Sequence, residues 1–284
     1  MLAAGLHPIV KALASGQHYS STGKVPAIAG IDGVGLLDGR PVYCLAARSP
    51  YGTMAQQTIV TPQKCVPLPA NLDPTQAAAI ANPGMSGWLS LKLRAGITAG
   101  ETVLILGATG VAGQLAVQSA RYLGAGKVIG VGRNAKALAS LQLDASIVLG
   151  DSEDAIAEAF AAQVSAGIDV VIDYLWGRPT ELLLAALAKG FRPEGNRRTR
   201  LIEVGESAGK TITLAGSILR STDVSLSGSG FGSVPLDQVM TSIPTLFDLP
   251  VQGHLRTDVE PIPLTEVEST WTRTEKGRRI VFTL

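Results

Sequence analysis

Apolar residues concentrate most sharply where Thr102-Val-Leu-Ile-Leu106 runs into Gly107, Gly110 and Gly113, followed by Leu115, Ala116 and Ala120 with no glycine or proline among them. That pattern predicts a strand, a tight turn and a helix with one apolar face. No charge falls between Glu101 and Arg121, a length that would suit a membrane span, but three glycines, two glutamines, two threonines and a serine within it favour the strand and helix. The alternation continues: strand 127–132 closed by Arg133, helix 135–141, strand 146–149, helix 152–164, strand 168–173, helix 179–189, and strand 200–204 ending at Gly205. Strands alternating with helices predict an α/β fold with a parallel sheet covered on both faces.

The flanks read differently. Residues 1–86 are short extended runs, such as Pro41-Val-Tyr-Cys-Leu-Ala46 and Gln57-Thr-Ile-Val60, cut by many glycines and prolines, with one short helix at Ile9–Ser15. Asp73-Pro-Thr-Gln76 starts a helix that Pro83 is expected to interrupt, and a second helix is expected from Ser86 to Leu93. At the far end, extended segments at 253–259 and 279–284 flank a helix at 264–274 and resemble the end of the first domain's sheet. The expected division is therefore 1–86 with 253–284, and 87–252 between them.

The three glycines carry candidate chemistry. Gly107 permits a sharp turn, Gly110 lets backbone N–H groups approach a pyrophosphate, and Gly113 lets the helix pack closely on the sheet. The helix N-terminus adds unpaired N–H groups and the positive end of a dipole. A dinucleotide is the expected ligand, held along Gly107, Ala108, Thr109, Gly110, Val111, Ala112 and Gly113. An acidic residue about 20 positions on would select NAD through the ribose hydroxyls; here Arg133 stands at the end of the second strand and favours the 2′-phosphate of NADP(H). Asn134 and Lys136 lie beside it, and Lys136 could share or replace its role. Ligands of such sheets bind at the carboxyl ends of the strands, which brings Leu175, Val204 and Gly205 to the same crevice. The stretch 216–235, with Gly228, Gly230, Phe231 and Gly232, is expected to be a loop over the nicotinamide, before a helix from about Leu236.

Composition narrows the partners. Lys and Arg total 24 against 23 Asp and Glu, so no overall field attracts nucleic acid or an anionic membrane. The clusters Arg197-Arg198-Thr199-Arg200 and Arg278-Arg279 are read as solvated charges. The two cysteines, Cys44 and Cys65, form no closely spaced pair in sequence, which suggests a reducing compartment and excludes a cysteine-built structural zinc site. The first residues lack a secretory pattern, so a cytoplasmic enzyme acting on small molecules is the default expectation.

Ala3-Ala-Gly-Leu-His-Pro8, Gly52-Thr-Met-Ala55, Leu68-Pro69, Gly107-Ala-Thr-Gly-Val-Ala-Gly113, Gly228-Ser-Gly230 and Gly277-Arg-Arg-Ile-Val-Phe282 together resemble the zinc-independent, quinone oxidoreductase-like branch of the medium-chain dehydrogenase/reductase superfamily over nearly the whole chain. The resemblance implies a Rossmann doubly wound sheet plus a β-rich, GroES-like catalytic domain, NADP(H) as cofactor, and a homodimer. Members usually begin with about 30 further residues supplying the first catalytic-domain strands, so it also implies an N-terminally shortened domain. Where zinc-dependent relatives place a cysteine ligand and a His-Glu pair, this chain has Leu6-His7 and Ile31-Asp32; catalytic zinc takes three protein ligands, so a metal-free site is expected. Quinone reductases of this type carry an asparagine at the position of His7 and tyrosines at those of Ala12 and His18.

The leading expectation is hydride transfer from NADPH to a quinone or α,β-unsaturated carbonyl, with His7, Tyr19 and Tyr51 as donors toward the oxygen that gains charge. The rivals are a non-catalytic NADPH-binding protein of crystallin or redox-sensor type, and a zinc alcohol dehydrogenase relative.

Overall fold

A computed structural model describes all residues except 22, 24, 151, 191–196 and 275–276. In it the chain divides into residues 1–85 with 237–284, and residues 86–236.

The first unit begins with β1 (Ala3–Gly5), α1 (Pro8–Ala14), β2 (Asp32–Leu37), β3 (Arg40–Leu45), β4 (Cys65–Pro67) and α2 (Pro74–Leu89), whose last residues lie beyond the division. Pro8 opens α1 at a position where its missing N–H costs nothing. Asp38 and Gly39 join β2 to β3 in a two-residue hairpin, both with positive φ, a geometry that Asp-Gly favours. Asp73 caps α2, its Oδ1 accepting from the N–H of Thr75 at 2.8 Å and of Gln76 at 3.1 Å. The expected break at Pro83 does not occur: α2 runs through it to Leu89. Ala77–Ala81, Met85 and Trp88 are all buried, so tertiary packing holds the helix together across the lost hydrogen bond.

The second unit contains β5 (Thr102–Leu106), α3 (Val111–Tyr122), β6 (Lys127–Gly132), α4 (Ala135–Ala139), β7 (Ala145–Val148), α5 (Glu153–Ala166), β8 (Val170–Asp173), α6 (Gly177–Lys189), β9 (Thr199–Glu203), α7 (Gly216–Ser221) and β10 (Val224–Gly228). Its sheet is parallel throughout, in the order β10-β9-β8-β5-β6-β7. The strand order reverses between β5 and β8, the arrangement of a doubly wound dinucleotide-binding sheet. Side chains alternate between two cores: Val103, Ile105 and Ile172 pack with α3 residues on one face, and Leu104, Leu106 and Val171 with α5 and α6 residues on the other. Burial on both faces is why these strands read as continuous apolar runs.

The expected loop at 216–235 is corrected: α7 and β10 occupy most of it, and β10 extends the sheet beside β9 in register. Alternate polar residues Ser225 and Ser227 on a half-covered edge strand mimic a polar loop in sequence.

The chain then forms α8 (Leu236–Val251), β11 (Asp258–Pro263), α9 (Val267–Trp271) and β12 (Arg278–Thr283). The last two strands complete a six-stranded sheet, β11-β12-β1-β2-β3-β4, with β12 antiparallel to β1. The return to the first unit comes at Asp237, not at the expected 253. Phe247 of α8 meets the Tyr43 ring edge-on at 5.3 Å, and a side chain on Gly84 would press on Leu246, so α8 packs with β3 and α2.

Candidate functional site

At the end of β5 the three glycines have three different jobs. Gly107 has φ +87°, and its N–H and that of Ala108 both donate to the Val131 carbonyl at 2.9 Å, tying the turn to β6. A Cβ on Gly113 would lie 2.2 Å from the Gly107 carbonyl oxygen, so α3 can begin only without one. Gly110 differs: its backbone is extended, at φ −75° and ψ 160°, and a Cβ there would meet nothing nearer than the Gly107 oxygen at 3.5 Å. The protein's own packing demands glycine at 107 and 113 but leaves room at 110. Gly110 is also the N-cap of α3 and has no side chain to cap it, so the first N–H groups of a twelve-residue helix face that room with the positive end of its dipole. An anionic group approaching the backbone fits this cradle.

The neighbouring strand end carries the positive charge. A Cβ on Gly132 would sit 2.9 Å from Thr109 Cγ2, so the end of β6 lies against the turn, and Arg133 follows directly. Arg133 and Lys136 are exposed, and neither makes an ion pair or hydrogen bond among the described residues. The Asn134 side chain is already engaged: it caps α4 by accepting from the Ala137 N–H at 3.1 Å.

On the other side of β5, Tyr174 and Leu175 face Gly107, and the Tyr174 backbone faces Gly205. The Val204 and Gly205 N–H groups donate to the Asp173 carbonyl at 2.7 and 3.1 Å. Thus the turn, the end of β6 and the ends of β8 and β9 gather along one edge of the parallel sheet. Phe231 is half exposed, and Gly232 at φ +90° has open space around it. Their loop is held by Arg94, which donates to the Gly228 carbonyl at 2.9 Å and that of Ser233 at 3.3 Å.

Asp173 is a residue that sequence reasoning missed as part of this edge. Its side chain is fully buried; Oδ1 accepts from the Leu175 and Trp176 N–H groups at 2.8 and 2.9 Å, and Oδ2 from Thr180 Oγ1 at 2.6 Å. Burial pushes its carboxyl above the ordinary aspartate value, with the three hydrogen bonds opposing the shift. The signal in sequence was only an aspartate at a strand end before a helix. Asp173→Ala leaves three donors without their acceptor and is expected to destabilise the protein by about 3 kcal/mol, while Asp173→Asn, which keeps an acceptor oxygen, loses less. Urea denaturation of the two variants measures the difference.

The candidate donors on the first unit are held by separate elements. The His7 side chain makes no capping hydrogen bond to α1 and is 1% exposed, with Nε2 3.5 Å from Asp32 Oδ1. Tyr43 donates to the other Asp32 oxygen at 2.8 Å; burial first, then Asp32, raises the tyrosine well above its ordinary value. Thus His7, Asp32 and Tyr43, from the β1–α1 junction, β2 and β3, form a buried polar cluster. Tyr19 is exposed, its ring 4.2 Å from that of His18, and Tyr51 is half exposed at a turn closed by its N–H to the Arg48 carbonyl. No group of three His, Cys, Asp or Glu side chains among the described residues is placed to hold a metal ion.

The basic clusters are solvated only in part: Arg198 and Arg278 are exposed as expected, while the other three arginines have partners. Arg197 pairs with Asp169 and Arg200 with Glu101, and buried Arg279 donates to the Leu6 carbonyl at 3.0 Å. Each is drawn in by a carboxylate or carbonyl that only the tertiary structure brings near. No described helix is long and apolar enough to cross a membrane.

No protein-family model matches the chain. Among curated proteins it is 28% identical to the "Probable NADPH-dependent quinone reductase tdiC" of Emericella nidulans, over 99% of this chain and 90% of that protein. Among solved structures it matches the quinone oxidoreductase of Thermus thermophilus, a structure also determined in complex with NADPH. That match has 26% identity and a TM-score of 0.75 over 100% of this chain and 89% of that one. A mycobacterial quinone oxidoreductase, at 19% identity, matches with a TM-score of 0.81 over 100% and 89% of the two chains, which shows the shared fold.

Proposed function

We propose that this chain, a member of the quinone oxidoreductase-like branch of the medium-chain dehydrogenase/reductase superfamily, is an NADPH-dependent reductase of quinones or α,β-unsaturated carbonyls that works without a metal. The observation that carries the reading is the unfilled space at Gly110, in front of the uncapped helix N-terminus and beside Arg133. NADPH, when bound, supplies the hydride.

The chain's own residues bind, orient and donate. The backbone from Gly107 to Gly113 holds the pyrophosphate, and Arg133, with Lys136, neutralises the 2′-phosphate. Leu175, Val204 and Gly205 form the wall at the ends of β8 and β9, and the loop with Phe231 and Gly232 closes over it. His7, Tyr19 and Tyr51 are the proposed donors toward the oxygen that gains charge. Asp32, fixed by Tyr43, lies 3.5 Å from the His7 ring. The protein acts as a homodimer in the cytoplasm.

Fluorescence titration of the purified protein with NADPH and NADH, followed in the same cuvette by 1,4-benzoquinone and then a simple enone, tests this. Preferred NADPH binding and its oxidation on adding an acceptor are expected. Binding without turnover on either acceptor would point to a non-catalytic NADPH-binding protein, and stoichiometric zinc in the purified protein would point to a zinc dehydrogenase. His7→Ala is expected to lower turnover about 10-fold or more with NADPH affinity nearly unchanged; a parental rate would remove His7 from the mechanism.

A further inference from the structure

The two cysteines, far apart in sequence, meet on adjacent strands of the first unit. Cys44 on β3 and Cys65 on β4 are direct partners in the antiparallel register, and their sulfurs are 3.8 Å apart. The Leu68 N–H donates to the Pro41 carbonyl, which makes residues 41 and 68 a hydrogen-bonded pair. Alternation along the ladder then makes Tyr43 and Val66 the next such pair, and Cys44 and Cys65 a non-hydrogen-bonded pair. Consistent with this, the Cys65 N–H donates to the Pro62 carbonyl. Side chains stand closest at such positions, where Cα atoms are about 4.5 Å apart, inside the disulfide range of about 4.4–6.8 Å. Both thiols are free. Rotation of the side chains is enough to join them.

We propose that Cys44 and Cys65 form a site of reversible two-electron oxidation, closing to a cross-strand disulfide when the protein meets a hydroperoxide. Cys65 is partly exposed and takes the first step; Cys44 is buried, and burial together with Cys65 pushes its thiol up to about 12, which keeps it protonated. The Cys65 thiolate attacks the terminal peroxide oxygen, the O–O bond breaks, and the departing alkoxide or hydroxide takes a proton from water, leaving Cys65 as a sulfenic acid. Cys44 sulfur then attacks the Cys65 sulfur, the S–O bond breaks, and the hydroxyl leaves with the Cys44 proton as water. In sum two thiols lose two electrons and two protons, and the hydroperoxide is reduced to an alcohol, or water, plus water. The bond ties together the two ends of segment 45–64, which carries Tyr51 and Gly52-Thr-Met-Ala55.

Hydrogen peroxide added to the full-length protein, with intact mass and non-reducing peptide maps as readouts, tests this. The expected product is lighter by two hydrogens, contains one peptide pair linked through Cys44 and Cys65, and returns to the starting mass with dithiothreitol. In Cys44→Ser the sulfenic acid has no partner, so dimedone labelling of Cys65 should exceed that of the parent by about 10-fold or more. In Cys65→Ser, Cys44 should remain unmodified over the same time. The proposal is overturned if the parent keeps both thiols, if Cys65 proceeds to the sulfinic acid while Cys44 stays free, or if the bridge joins two chains.

Discussion

Gly110→Val is expected to weaken NADPH binding on the order of 100-fold, about 2.7 kcal/mol, while the folded protein stays as stable as its parent. The two halves of this expectation come from one observation. Gly110 has an extended backbone that any residue adopts, and a Cβ there touches only the Gly107 oxygen at ordinary contact distance, so the fold does not object. The added side chain instead fills the space through which a pyrophosphate would reach the N–H groups of α3. Stability by urea denaturation should change by no more than about 0.5 kcal/mol. Gly113→Ala supplies the contrast. Its Cβ would lie 2.2 Å from a backbone oxygen, so the turn must shift, at a cost of about 1–3 kcal/mol, and binding and stability fall together. Parental NADPH affinity in Gly110→Val would mean that the dinucleotide does not lie over this turn.

Arg133→Ala is expected to raise the dissociation constant for NADPH by about 10- to 100-fold and to leave NADH nearly unaffected, because a charge-assisted contact to phosphate contributes about 1.5–3 kcal/mol. Arg133 is exposed and without an internal ion-pair partner among the described residues, so removing it leaves no buried charge behind and the loss reports on the ligand. The contact lies near the surface, so the NADPH preference of the parent should also shrink as salt is raised. Arg133→Asp goes further, placing an acceptor near the ribose hydroxyls and a negative charge against the phosphate, and should favour NADH. Lys136→Ala in parallel assigns the phosphate: a larger loss there than in Arg133→Ala would transfer the role to Lys136.

Much of this protein was legible along the chain because local chemistry dictates it. The βα alternation, the start of α2 at Asp73 and the glycine turn after Leu106 each rest on residues within a few positions of one another. The arginine at the end of β6 is likewise placed by counting from the turn. Other features depended on groups brought from far away. Pro83 does not break α2, because the buried residues Ala77–Ala81 before it and Met85 and Trp88 after it outweigh one lost hydrogen bond. Residues 224–228 read as loop because an edge strand buries only part of its surface. Arg200 and Arg279 look solvated until Glu101 and the Leu6 carbonyl arrive beside them. The His7–Asp32–Tyr43 cluster and the Cys44–Cys65 pair could not be seen in sequence at all, since each is assembled by strand register. Sequence alone determined which stretches form strands, turns and helices and which residues offer charge or a bare backbone. Only the tertiary structure decided which of those residues meet, because burial and pairing are properties of surfaces formed by segments distant in the chain.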